Sequence, residues 1–261
     1  MIIDIFIKIC KNDYNKLSLL LKSIEKYVTG FRRVIIVMDR THNVKICKTR
    51  KIYKHKKYYM NFIPGVSYNY ILDYEFEIRV VTEKKLNYSL QDNNSQDIRK
   101  EFIKLQWYNY TNSDAIYFMD YNYCYSKPVN LSDMVVHNQK IWLFSEWETT
   151  KRDNFEKTSI DTILKRNNTF NCYILYDFLF FRNDSLCFMN QLCKTYQIDN
   201  IKEYMITKWS NISMFNVFGN WCFLNSKRYI FLNIDNDKSL LSNIKSDLGM
   251  VKLQKSHRCI K

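Results

Sequence analysis

Glycine and proline are scarce, at four and two residues in a chain of 261. Turns must therefore rely on Asn and Asp, whose short side chains bond back to their own backbone. Paired cysteines are missing as well. The eight cysteines stand singly at 10, 47, 124, 172, 187, 193, 222 and 259, and none forms a Cys-x-x-Cys pair. That spacing speaks against a zinc ribbon or a thioredoxin-type site. Several cysteines sit in apolar runs, where a free thiol behaves as a small hydrophobe, and a reducing compartment is the default. No uninterrupted apolar stretch approaches the roughly 20 residues of a membrane span. The opening Met-Ile-Ile-Asp-Ile-Phe-Ile-Lys has an acid where a signal peptide carries basic residues. A soluble, cytoplasmic protein is the expectation.

What is present is a chain long enough for one large α/β domain or two small ones. Hydrophobic content of 46% with 16% aromatics excludes a disordered chain. The net charge of +14 favours anionic partners: nucleotides, nucleic acid or an acidic membrane surface. The densest basic run, Lys45 to Lys57, interleaves Lys48, Arg50, Lys51, Lys54, Lys56 and Lys57 with Tyr53, Tyr58 and Tyr59. It reads as a nucleic-acid patch or as a solvated loop.

Ile2 to Ile9 reads as a buried first strand. Asn12 or Asp13 can cap a helix in which Tyr14, Leu17, Leu20, Leu21 and Ile24 share a face, and Gly30 stands at its expected C-cap. Val34 to Met38 is a second buried strand, ending at Asp39. Strand, helix and strand within about 40 residues make a βαβ unit, hence a parallel sheet with a right-handed crossover. Glu75 to Val81 is the next strand. It is followed by a helix with Ile98, Phe102, Leu105 and Tyr108 on its apolar face and Arg99, Lys100 and Lys104 on its polar one. After Pro128 the pattern is α+β. Strands are expected at Ile141 to Phe144, Tyr173 to Phe181 and Tyr229 to Leu232. Helices are expected at Phe155 to Lys165, Asp184 to Tyr196, Ile198 to Trp209 and Ser213 to Phe223. With neither repeat nor linker, a single domain is the simplest parse.

These elements are organised around Asp114 to Tyr123. Ala115 to Met119 has the length and composition of a strand buried on both faces, and it ends abruptly in Asp120-Tyr121-Asn122. Ligands of open α/β sheets bind beyond the carboxyl ends of the strands. Two oxygen-bearing side chains two residues apart at such an end can grip a divalent cation. They can equally form an Asx-type turn.

Three segments carry a resemblance. The first is Asp4-Ile5-Phe6-Ile7-Lys8, with Leu21-Lys22-Ser23-Ile24 and Val34-Ile35-Ile36-Val37 after it. The second is Phe102-Ile103-Lys104-Leu105, then Tyr110 to Ala115, then Met119-Asp120-Tyr121-Asn122. The third is Ser213-Met214-Phe215-Asn216-Val217-Phe218-Gly219-Asn220-Trp221. Their order resembles that of the small nucleotide-sugar-dependent glycosyltransferases with the GT-A fold found in bacteria and large DNA viruses. The chain departs from that pattern at Asn122, where the second aspartate of the Asp-X-Asp box stands. It departs again at Met214, in place of the carboxylate of a Ser-Glu box, and at Tyr176-Asp177, where relatives carry a polar or histidine pair.

The resemblance implies an α/β, Rossmann-like single domain with a predominantly parallel central sheet flanked by helices. Residues 1–125 would be its nucleotide-binding half and 126–261 its acceptor side with a basic tail. It implies Mn²⁺ or Mg²⁺ held by Asp120 and Asn122; His257 of the basic tail is a candidate third metal ligand or phosphate contact, or a solvated tail residue. The ion would bridge a nucleotide-sugar diphosphate, most simply that of a UDP-sugar, and stabilise charge on the leaving phosphate. Lys8, Asp13, Asp39, Arg40 and Lys104 are the candidates for nucleotide contacts. Asp13 can instead be a helix cap, and Lys104 a solvated helix residue. Asp177 is the first candidate for a general base toward an acceptor hydroxyl, followed by Glu146 and Glu148 beside Trp147. The acceptor would be a glycan or a protein, and nucleic acid is not the expected partner. The lost acidic groups leave a second expectation, a non-catalytic domain of the same fold that binds a nucleotide sugar, a glycan or a protein.

Overall fold

The structure is a computed structural model. It describes residues 1–9, 14–38, 74–82, 103–133, 135, 140–147, 151–167, 169–172, 177–199, 213–236, 239 and 250–252. In chain order the elements begin with β1 (Ile3–Ile9), α1 (Tyr14–Tyr27), β2 (Val28–Thr29), β3 (Arg33–Met38) and β4 (Glu77–Thr82). A 3₁₀ turn at Trp107–Asn109 leads to β5 (Ala115–Met119), β6 (Tyr123–Tyr125), β7 (Val129–Asn130) and β8 (Lys140–Ser145). Then come α2 (Lys151–Leu164), β9 (Asn171–Cys172), β10 (Asp177–Phe181), α3 (Arg182–Tyr196), α4 (Met214–Asn225), β11 (Tyr229–Asn233) and β12 (Met250–Lys252).

Five strands form the central sheet in the order β10-β5-β1-β3-β4. The pairs β5–β1, β1–β3 and β3–β4 are parallel, and β10 runs antiparallel along β5. All residues of β1 and of β5 are buried, as continuous apolar strands in the middle of a covered parallel sheet must be. The chain therefore builds outward from β1 through β3 to β4, then returns to the other side of β1 with β5. The reversal makes a switch point between β1 and β5, at the carboxyl ends of both, where open α/β sheets form their ligand crevice. The expectation of an α/β fold with a mostly parallel sheet holds, with Asp120 just past the carboxyl end of a central strand.

A second sheet, β11-β8-β9, joins the first through aromatic rings. Trp142 of β8 packs against Phe178 and Phe180 of β10, Phe218 of α4, and Tyr229 and Phe231 of β11. One apolar core runs from Ile3 to Tyr229 and spans both halves of the chain.

Two polar clusters lock this arrangement. At the amino end of β1, the side chain of Asp4 is inaccessible to solvent and accepts hydrogen bonds from Arg32 Nε and Nη2 (2.9 and 2.8 Å) and from Arg33 Nε (3.3 Å). The Thr111 hydroxyl donates to it as well. Asp4 thus clamps the entry of β3 and the segment before β5 onto β1. Burial raises its carboxyl pKa, but the hydrogen bonds from Arg32 and Thr111 and the charges of Arg32 and Arg33 outweigh that and hold it below the ordinary 3.8.

The second cluster lies on α4. Asn220 Oδ1 accepts the Phe170 N–H while its Nδ2 donates to the Phe170 carbonyl, and Asn216 Oδ1 accepts the Cys172 N–H. Two amides one helical turn apart thereby satisfy the backbone at residues 170 and 172, as a neighbouring strand would. The close approach is permitted by Gly219. A Cβ there would lie 2.7 Å from both Cys172 Sγ and Trp142 Cζ2.

Two expectations need correction. Gly30 does not cap α1, because the helix ends at Tyr27 and Val28–Thr29 first pair with β7. Gly30 is required for another reason. Its φ is +77°, and a Cβ would fall 2.0 Å from Asn130 Oδ1. The helix expected to run through Tyr108 gives way to the 3₁₀ turn at Trp107, where the buried indole Nε1–H donates to Ser185 Oγ. The strand expected from Tyr173 is described only from Asp177, as β10. The helix expected at Ile198 to Trp209 and the basic run Lys45 to Lys57 lie outside the described residues.

Removing one partner of a buried ion pair costs about 3–5 kcal/mol, and Asp4→Asn is expected to lower the unfolding free energy by about that amount at neutral pH. Because the folded carboxyl titrates below its unfolded value, the contribution is complete above 3.8 and is lost as pH falls through the lowered value. Urea titrations at neutral and acidic pH should therefore show the gap between variant and parent closing in acid. Gly219→Ala sets a helix-propensity gain of about 1 kcal/mol against overpacking of about 1–3 kcal/mol. Its two obstructing neighbours are buried, so a net loss of up to about 2 kcal/mol is expected. A melting temperature at or above the parent's would contradict the close contact.

Candidate functional site

The carboxyl ends of β1 and β5 carry the candidate site. The β1–β5 register runs from Ile3↔Ala115 to Phe6↔Phe118. Continued by two residues, it sets Lys8 level with Asp120. On the far side of β5, the antiparallel pairing places Asp177 opposite Met119, with Cα atoms about 5 Å apart. Lys8, Asp120 and Asp177 therefore occupy one end of three adjacent strands. Lys8 is buried, and Asp177 is described in its backbone only.

Past β5 the chain makes a tight turn. Asp120 Oδ1 accepts the Asn122 backbone N–H at 2.9 Å and the Asn122 Nδ2 at 2.8 Å. The Tyr123 N–H donates to the Asp120 carbonyl at 3.1 Å. This is the Asx-type turn that Asp and Asn favour. The side-chain oxygen of Asn122 looks the other way and accepts a 2.8 Å hydrogen bond from Lys16 Nζ. The same ammonium stands 5.5 Å from the centre of the Tyr121 ring. A carboxylate on one side and an ammonium on the other leave the amide a single orientation, nitrogen toward Asp120 and oxygen toward Lys16.

Lys16 belongs to the first turn of α1, and the packing of that helix explains its position. Ser23, seven residues on and so on the same helix face, accepts the Tyr125 backbone N–H at 3.0 Å. Lys16 and Ser23 thus grip the 122–125 segment at two points, two turns apart. The sequence offered one signal, the i, i+7 spacing of two polar residues on a helix whose neighbouring face is apolar. Nothing local shows what that polar stripe meets.

Mn²⁺ or Mg²⁺ held jointly by Asp120 and Asn122 would have to use an amide oxygen already engaged by a cation. At about 4 Å from the ammonium, a divalent ion is repelled by about 8 kcal/mol at an effective dielectric of 20. Among the described residues no group of three His, Cys, Asp or Glu converges on a point. The Asp120–Asn122 pair, in this geometry, does not fit a shared divalent cation. Asp120 keeps a carboxylate that is exposed to solvent.

Lys104 Nζ stands 5.0 Å from the centre of the Phe215 ring, a cation–π placement against the aromatic core. Glu146 is exposed at the end of β8, where its N–H donates to Asp235 Oδ2 at 2.7 Å. Trp147 packs against the core, with its buried indole N–H lacking an acceptor among the described residues. The 213–221 segment forms most of α4, and its Asn216, Gly219 and Asn220 serve packing, as described above. The carboxylate near the start of that helix comes from Glu156, which accepts the Ser213 N–H (3.2 Å) and Asn216 Nδ2 (2.9 Å). Asp13, Asp39, Arg40, Glu148 and His257 lie outside the described residues. Strand β12 pairs Lys252 with Tyr123, one residue past Asn122.

Asp120 and Asn122 are at the surface and hold a turn rather than the core. Asp120→Ala and Asn122→Ala are each expected to change the unfolding free energy by less than about 1 kcal/mol. Urea denaturation checks this, and a larger loss would make the turn a structural element first.

No helix among the described residues is long and apolar enough to cross a membrane. No protein-family model matches the chain, and no curated protein matches it.

Proposed function

We propose that the chain is a glycosyltransferase of the GT-A type, moving a sugar from a nucleotide-sugar donor to an acceptor hydroxyl. One observation carries the reading. A turn headed by an exposed carboxylate, Asp120, stands at the reversal point between two parallel strands, where open α/β sheets bind their ligands. The nucleotide of a UDP-sugar would lie along the ends of β1 and β3, with its diphosphate at the crevice. Asp177 begins the neighbouring strand at the same sheet end and is the group offered as general base toward an acceptor glycan or protein hydroxyl. Departure of the nucleoside diphosphate builds negative charge, which a cation in the crevice must stabilise. Mn²⁺ or Mg²⁺ on Asp120 would supply that cation.

A second reading is favoured by a specific observation. Asn122 is neutral and its oxygen is committed to Lys16, an arrangement suited to a domain that binds a nucleotide sugar, glycan or protein partner without turnover.

Thermal-shift measurements with a panel of nucleotide sugars, with and without Mn²⁺, test binding, because a ligand of the native state raises its apparent stability. A UDP-sugar is expected to raise the melting temperature and to be consumed slowly in the presence of acceptor sugars. Asp177→Asn should keep the thermal shift and lower turnover by about 10²–10⁴-fold. Binding by the parent with no turnover or hydrolysis would establish the second reading, and absence of binding to every nucleotide sugar would remove both.

A further inference from the structure

The end of α4 carries an inference about what surface this chain meets. Most of that helix is core, with Phe215, Val217, Phe218, Trp221 and Cys222 all buried. Its last turn is not. Phe223 is 38% exposed and Leu224 58%, and Ile230 in β11 is 38% exposed. The other large hydrophobic side chains exposed among the described residues are Met1 and Ile2 at the terminus and Phe155. The Phe223 ring rests on Phe144, Phe170 and Phe231, whose ring centres lie 5.9, 5.2 and 5.1 Å away. All three are themselves only half-buried. An apolar tip is thus held in place by the second sheet, with Leu224 beside Phe223 at its outer end.

The charges around this tip have one sign. Residues 213–233 contain no Asp or Glu, and their charged residues are Lys227 and Arg228. Arg228 is exposed, with its guanidinium 5.3 Å from the centre of the Phe181 ring. Asp184, which accepts from Ser226 Oγ at 2.9 Å, is buried. The neighbouring polar side chains are used within the protein. Asn225 Nδ2 donates to the Trp221 carbonyl, Trp221 Nε1 to Gln191 Oε1, and Ser226 Oγ accepts the Arg228 N–H. Such side chains offer apolar area and positive charge rather than the directional hydrogen bonds by which a site fixes a small molecule.

We propose that the end of α4 and the start of β11 form an interfacial anchor, with Phe223 and Leu224 entering the headgroup region of an anionic lipid surface and Arg228 at the level of its phosphates. The net charge of +14 draws the chain toward such a surface within a Debye length of about 8–10 Å. The apolar tip then decides which face of the protein meets it. This contact lies in the interface and requires no membrane-spanning helix.

Co-sedimentation of the full chain with vesicles tests the anchor, using phosphatidylcholine alone and phosphatidylcholine mixed with phosphatidylserine. The parent should bind the mixed vesicles, leave the neutral ones in suspension, and be released by high salt. Leu224→Asp should weaken binding roughly tenfold or more, since it removes buried apolar area and adds a repelled charge. Leu224→Trp should strengthen it, because indole favours the interface. Arg228→Gln should cost about fivefold and Arg228→Lys little, as expected of one charge near the surface. Circular dichroism checks that Leu224→Asp is folded, and the gain in Leu224→Trp decides the matter should it not be. Absence of binding to the mixed vesicles overturns the proposal, as does equal binding to neutral ones. Binding that neither Leu224 variant changes is adsorption by net charge and overturns it as well. A dimer that Leu224→Asp dissociates, in a chain that ignores both vesicles, assigns the tip to a second copy instead.

Discussion

The buried carboxylate of Asp4 is the interaction on which the central sheet depends. Two arginines at the entry of β3 and a threonine before β5 converge on it. Strands β1, β3 and β5 are thereby set in register at their amino ends. A charge without access to solvent is tolerable only when paired and fully hydrogen-bonded, so each donor is as necessary as the acid. The polar lock at one end of β1 leaves the other end open for a different use.

At that other end the turn is built from Asp120 and Asn122, the residue types that stand in for glycine and proline in this chain. The turn is stabilised locally, by bonds within three residues, and it is tied to α1 by one long-range contact through Lys16. The contact sets an ammonium and a carboxylate on opposite sides of one amide. Such a turn is both a structural stop for β5 and a charged surface at the carboxyl end of the sheet. The glycosyltransferase proposal rests on that double character.

The α4 segment shows how a resemblance can lie on packing residues. Asn216 and Asn220 look like polar site residues in the sequence, yet both are buried, and their amides satisfy backbone groups at residues 170 and 172. Gly219 belongs to the same contact, because only a residue without a Cβ lets the helix come so near to Trp142 and Cys172. A helix and a short edge strand are thus joined by side chains acting as backbone. The aromatic rings of Phe215 and Phe218 then carry α4 into the core shared by both sheets.

By itself the sequence determined the strands at Ile3–Ile9, Arg33–Met38 and Ala115–Met119, the helices beginning near Tyr14 and Asp184, and the stop at Asp120. Each follows from apolar periodicity or from turn chemistry, which act over a few residues. The parallel βαβ unit was legible for the same reason, since its connection is short. Only the tertiary structure decided that β5 returns beside β1, that β10 runs antiparallel to it, and which polar group each polar side chain meets. Asp4 meets Thr111 across 107 positions and Lys16 meets Asn122 across 106. Such pairings arise when sheet order and helix packing bring distant residues together, and no local pattern encodes the partner. The charge at the crevice is therefore a tertiary fact: a surface lysine on one element becomes the neighbour of a turn on another.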